Sequence, residues 1–217
     1  MKSIISNKKS NTMLIFIFIV LANILCSMYV NETIITLDFI SNSYKEQLDI
    51  NRIKELYTFR EKFSWLGYAL VGLMVLIRVL YTSVFLKIVF FFKNVKIPFK
   101  NIFRIALICD SVFLIQNIIK AFFLKTQHVS SFIEMSYFSP LSVLSFFKKD
   151  SVELYLVYPL QLLNLFEVIY VITLTIFFLS FFESNFKKSL NYNLLGYGMA
   201  FVFWFILALF INMAFTA

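Results

Sequence analysis

The sequence predicts an all-α polytopic integral membrane protein of about five transmembrane helices, folded as a single transmembrane domain over residues 1–217. Three observations carry this. Of the 217 residues, 60% are hydrophobic and 19% aromatic, whereas a soluble domain is about 45–50% apolar. A globule of this size has no interior large enough to hide the excess, so lipid must cover it. The apolar residues also run in long stretches, not in the alternating ~10-residue segments of a transmembrane barrel. Finally, 29 Phe stand against only 4 Gly and 3 Pro, which leaves helices uninterrupted.

The first span is predicted at 13–30. A basic start and apolar middle resemble a signal peptide, but no A-x-A tripeptide follows, and Leu25 precedes Cys26 where a lipoprotein signal has a small residue. The segment is therefore read as a retained helix. The extracytoplasmic loop 31–63 is polar and mixed in sign. Within it Ser43 and Glu46 have capping-box spacing, and Ile53, Leu56, Tyr57 and Phe63 recur at helical spacing, which predicts a short amphipathic helix running into the second span. That span, 64–92, exceeds the bilayer core and must tilt or protrude. A short basic loop with Pro98 ends it, and the third span follows at 102–123. In the outer loop 124–153, Ser139-Pro140 reads as an N-cap and first helical residue, with Leu141–Phe147 a short helix in the interface. Asp150 and Glu153 form an Asp variant of the capping box opening the fourth span, 154–182, which Pro159 should kink. After a basic turn the fifth span runs over 194–216.

Charge supplies the orientation. With the N-terminus in the cytoplasm, the inner side holds ten basic residues (Lys2, Lys8, Lys9, Lys87, Lys93, Lys96, Lys100, Arg104, Lys187, Lys188) against Glu183 alone, a balance of +9. The outer loops hold eight basic and nine acidic residues, a balance of −1, and four charges within the spans cancel, giving the net +8. This is the positive-inside pattern, consistent with a bacterial cytoplasmic (inner) membrane. The basic residues are expected to meet anionic lipid head groups, at about 1 kcal/mol each, and no nucleic-acid partner is expected. Cys26 and Cys109 lie in apolar runs and read as small buried hydrophobes. A lone His128 makes no metal site, so neither metal nor cofactor is expected.

The candidate site is an intramembrane polar cluster: Arg78 in the second span, Asp110 and Asn117 in the third, and Gln161, Asn164 and Glu167 spaced i, i+3, i+6 in the fourth. An unpaired charge at the bilayer centre costs about 2.5–3.5 kcal/mol on insertion scales. Arg78 is therefore expected within salt-bridge reach of Asp110, Glu167 or both. Lys120, nearer the outer end, is expected to snorkel. No metalloprotease, nucleophile-elbow or phosphate-loop motif is present, so catalysis is not expected.

In the C-terminal half, Ser139-Pro140-Leu141-Ser142-Val143-Leu144, Leu162-Leu163-Asn164-Leu165-Phe166-Glu167 and Lys187-Lys188-Ser189-Leu190 resemble the prokaryotic branch of the Yip (Ypt-interacting protein) superfamily. The resemblance covers roughly Phe99–Ala217. It implies five transmembrane helices and a cytoplasmic N-terminus. Eukaryotic members carry a long cytoplasmic N-terminal region, where this chain has about twelve residues, so recruitment of small GTPases is not implied. The functional expectation is a scaffold or accessory subunit of a membrane complex, with a membrane-protein partner or a second copy of itself. The alternative is a small transporter or channel subunit using Arg78, Asp110 and Glu167. A dry, fully paired cluster would favour the first, and a wet cavity or a broken helix the second.

Overall fold

The computed structural model describes residues 12–127, 129–148, 151–182 and 185–216. Lys2, Lys8, Lys9, His128, Asp150 and Glu183 lie outside the described residues, and with them the Asp150 capping box and part of the charge count. The helices are α1 (Thr12–Thr33), α2 (Leu37–Tyr44), α3 (Ile50–Phe92), α4 (Phe99–Cys109), α5 (Ser111–Thr126), α6 (Phe132–Tyr137), α7 (Leu154–Leu162), α8 (Leu165–Phe178) and α9 (Phe186–Thr216). Short 3-10 turns occupy Val143–Phe146 and Leu179–Phe181. Four stretches are long and apolar enough to cross a membrane: Thr12–Thr33, Ile50–Phe92, Phe99–Thr126 and Phe186–Phe215, with Leu165–Phe181 a shorter apolar helix beside them. The protein is thus an all-α polytopic membrane protein.

The core lies between α3, α4, α5, α8 and α9. Phe166, Tyr170, Leu174 and Phe178 recur every four residues on α8 and are all buried there, against Leu86 and Phe90 of α3 and Ile102, Ile105 and Cys109 of α4. Helix α9 runs alongside α3, and Gly196 permits the approach: a Cβ built there would lie 2.8 Å from Leu86 Cδ2 and 3.1 Å from its Cα. Helix α1 packs peripherally on α3 and α5.

Helix α3 has 43 residues, roughly 65 Å at 1.5 Å per residue against a bilayer core of about 30 Å. Its Arg60 donates to the Ile35 carbonyl (3.0 Å) and to Asn31 Oδ1 (2.5 Å) at the end of α1. The turns before Arg60 therefore project past α1, where Ile53 packs with Phe39 and Ile40 of α2 and Leu124 of α5 in a separate small core. At its other end α3 closes in a Schellman motif. Asn94 takes φ 55°, Val95 N–H donates to the Phe90 carbonyl (2.8 Å) and Asn94 N–H to the Phe91 carbonyl (3.0 Å).

Several expected boundaries are corrected. Ser43 does not open a helix: it lies inside α2, donates to the Phe39 carbonyl (2.8 Å) and accepts from Phe132 N–H (3.0 Å), while Thr36 caps α2. The amphipathic segment instead begins at Ile50 and is continuous with the second span. The third span starts at Phe99 and is interrupted at Asp110. Ser139-Pro140 follows α6 instead of starting a helix, because Leu141 takes a left-handed φ of 63°. The fifth helix starts at Phe186, eight residues before the expected 194.

The fourth span differs most. Helix α7 passes through Pro159 without ending, and the chain breaks at Leu163–Asn164. Pro159 removes a donor for the Tyr155 carbonyl, but Asn164 makes the break. Its extended backbone bridges to Ser142, flanked by Val143 N–H to Leu163 O (2.8 Å) and Leu165 N–H to Leu141 O (3.0 Å). A β-bridge thus replaces one turn of helix within an apolar segment, where backbone groups must find protein partners.

Candidate functional site

Arg78 and Asp110 form the centre of the expected cluster. Arg78 Nε lies 2.6 Å from Asp110 Oδ1 and Nη2 lies 2.9 Å from Oδ2, a two-point pairing of guanidinium and carboxylate. Asp110 is 0% exposed and the Arg78 side chain 36% exposed. Asp110 sits where α4 gives way to α5, and Phe113, one turn further, places its ring 4.3 Å beneath the guanidinium carbon. The pairing uses Nε and Nη2 and leaves Nη1 for other acceptors.

Glu167 does not pair with Arg78. Among the described residues its partner is the Tyr197 hydroxyl, which donates to Oε2. A run of rings joins the two acids: Phe113 lies 4.9 Å from Tyr170, and Tyr170 4.8 Å from Tyr197. Cation, tilted rings and second carboxylate thus form one contiguous series across α3, α5, α8 and α9.

The i, i+3, i+6 stripe on the fourth span is not a helical face, because the break falls inside it. Asn164 Oδ1 accepts from Glu167 N–H (3.1 Å), capping α8, while its Nδ2 donates to the Gln161 and Leu162 carbonyls (3.0 and 3.2 Å) at the end of α7. Gln161 donates to the Ser136 carbonyl. These two side chains satisfy the backbone groups that the break exposes. All three line an open space, but Glu167 is the one ionisable group of the stripe. Asn117 donates to Asn23 Oδ1 (2.9 Å), tying α5 to α1.

That open space is a cavity of about 290 Å³ lined by Arg78, Gln116, Asn117, Lys120, Gln161, Asn164 and Glu167 among others. Five of the six expected cluster residues line it, and Asp110 lies behind Arg78. Lys120, expected to snorkel, instead lines the cavity half-buried, without a partner among the described residues. Asn23, Tyr81, Phe113, Tyr170 and Tyr197 also build the site but carried no signal, since aromatic residues are everywhere in this chain and Asn23 is one polar residue in an apolar run. Among the described residues no group of acids, cysteines or histidines could hold a metal. Comparison with family models, curated proteins and solved structures found no match to this chain.

Proposed function

We propose that this chain is a small carrier-type membrane protein that binds a ligand bearing an anionic group in the cavity between α3, α5, α7, α8 and α9. The observation that carries the reading is the position of Glu167. It faces a cavity shared with Arg78 and Lys120, at the break of a discontinuous helix. Discontinuous helices near the bilayer midplane are how many transporters build their sites. A scaffold needs its intramembrane charges paired and closed off; Asp110 meets that condition behind Arg78, whereas Arg78, Lys120 and Glu167 all line the cavity. The Nη1 of Arg78 and the ammonium of Lys120 supply donors for an anion, and Glu167 supplies a group that can load and release a proton with it. The proposal includes a cytoplasmic N-terminus in a bacterial inner membrane, with the basic loops against anionic head groups. The Yip resemblance bears on this frame of five crossings and not on the ligand.

Reaction of a cysteine in the cavity tests the reading. On a background with Cys26 and Cys109 replaced, Gln116→Cys should react with a membrane-impermeant maleimide in sealed vesicles, and millimolar benzoate, a small anion, should slow the reaction. No reaction from either side of the vesicle would overturn it.

A further inference from the structure

Behind the polar cavity lies a second space of a different kind. It is a groove of about 570 Å³ between the 141–146 segment, α8 and α9, with side chains such as Val143, Phe146, Leu165 and Val168 along it. Four residues, Asn164, Glu167, Tyr197 and Phe201, line both spaces. A single layer of side chains therefore separates an anion-seeking cavity from an almost wholly apolar groove, and the Glu167–Tyr197 contact is part of that layer.

We infer that the ligand is a long-chain amphiphile with an anionic head, of the fatty-acid class, its head at Arg78 and Lys120 and its chain in the groove. The inference rests on the anion reading above and extends it to the rest of the molecule. Charge complementarity selects the head: Asp110 is already engaged by two nitrogens of Arg78, while Nη1 and Lys120 have no acceptor among the described residues. Apolarity selects the chain, since a groove with few polar groups offers nothing to a hydrophilic solute. Continuity selects their union in one molecule, because the head site and the chain site meet at Glu167 and Tyr197. A further space of about 280 Å³, with Cys26, Val30 and Leu124 along it, meets the polar cavity at Asn117 and Lys120; the chain is assigned to the groove of about 570 Å³ because that is about twice the size. Entry requires the Tyr197 ring to swing from Glu167, exchanging one hydrogen bond.

Gly198 allows the groove to be filled without disturbing the packing. It lines the groove, and a Cβ built there meets nothing within 4 Å. Gly67, equally open and lining neither space, is the control. Trp204 lines the polar cavity and serves as the reporter. The protein carrying Trp65→Phe is placed in phosphatidylcholine nanodiscs and titrated with cis-parinaric acid, an 18-carbon conjugated fatty acid (the length is about that of a membrane acyl chain). Energy transfer from Trp204 should saturate. Gly198→Leu and Lys120→Gln should each raise the half-saturation concentration about tenfold, and Gly67→Leu should leave it unchanged. Transfer that never saturates, or that saturates equally in Gly198→Leu, overturns the inference. If benzoate nevertheless protects Gln116→Cys, the anion site stands and only the long chain is refuted. If benzoate also fails, both fall.

Discussion

Replacing Arg78 by Ala should cost more than replacing Arg78 and Asp110 together. Asp110 is 0% exposed and both its oxygens are held by Arg78, at 2.6 and 2.9 Å. Removing the arginine leaves a buried carboxylate without its partner, which costs about 3–5 kcal/mol in comparable buried pairs. For a chain of this size about 2–4 °C of melting temperature corresponds to each kcal/mol, so Arg78→Ala should lower the midpoint by about 6–20 °C. The packing of the guanidinium on Phe113 at 4.3 Å is lost in either variant, and cation–π contacts are worth about 0.5–2 kcal/mol. Arg78→Ala/Asp110→Ala therefore keeps the cavity and ring losses but removes the orphaned charge, and should recover about half of the shift. The assay is the surviving monodisperse fraction by size-exclusion chromatography after heating in mild detergent. A double variant as unstable as the single one would refute the argument that the uncompensated charge dominates.

Three further outcomes follow from the packing. Gly196→Ala places a methyl 2.8 Å from Leu86 Cδ2 and should destabilise by about 1–3 kcal/mol through overpacking, measured in the same heating assay, whereas Gly67→Ala, open to space, should be neutral or stabilising by up to about 1 kcal/mol. Asn164→Ala removes the α8 cap and two donors to α7 carbonyls and should cost about 0.5–2 kcal/mol or more, with Asn164→Asp, which keeps the capping oxygen, costing less. For the topology, on a background without Cys26 and Cys109, Glu46→Cys should react with an impermeant thiol reagent added outside intact cells and Lys96→Cys should not; the opposite pattern would invert the assignment.

The class of fold was legible because lipid exposure is a bulk property, written in composition and in apolar run length. The end of α3 was legible for a local reason: Lys93, Asn94 and Pro98 lie within a few residues, and Asn94 tolerates the left-handed turn. The break at Leu163–Asn164 was not. Hydropathy averages over it, and its cause is a partner at Ser142, more than twenty residues away in sequence. Pro159 drew attention to the right span, but the helix passes through it, and the break comes at Asn164, which offers both a cap and two donors. Ser43 misled for a similar reason, since its hydroxyl serves Phe132, in another helix. Charges in an apolar run demand company, which made the pairing of Arg78 with an acid foreseeable, and five of the six candidate residues line one cavity. Which acid pairs with Arg78 could not be read, because it depends on Asp110 lying behind the arginine and Glu167 across the space from it.

The central claim is that the cavity at the broken helix is a site for an anionic group. The most direct test compares the rates at which Gln116→Cys, on the background without Cys26 and Cys109, reacts with thiosulfonate reagents of equal size and opposite charge. Arg78 and Lys120 should make the anionic reagent react faster than the cationic one, after correction for their intrinsic rates on free thiol. Lys120→Gln should shrink the ratio by roughly thirtyfold, the effect of about 1 kcal/mol of attraction lost for the anion and about 1 kcal/mol of repulsion lost for the cation. A ratio of one, unchanged by Lys120→Gln, or a preference for the cation, would contradict the account.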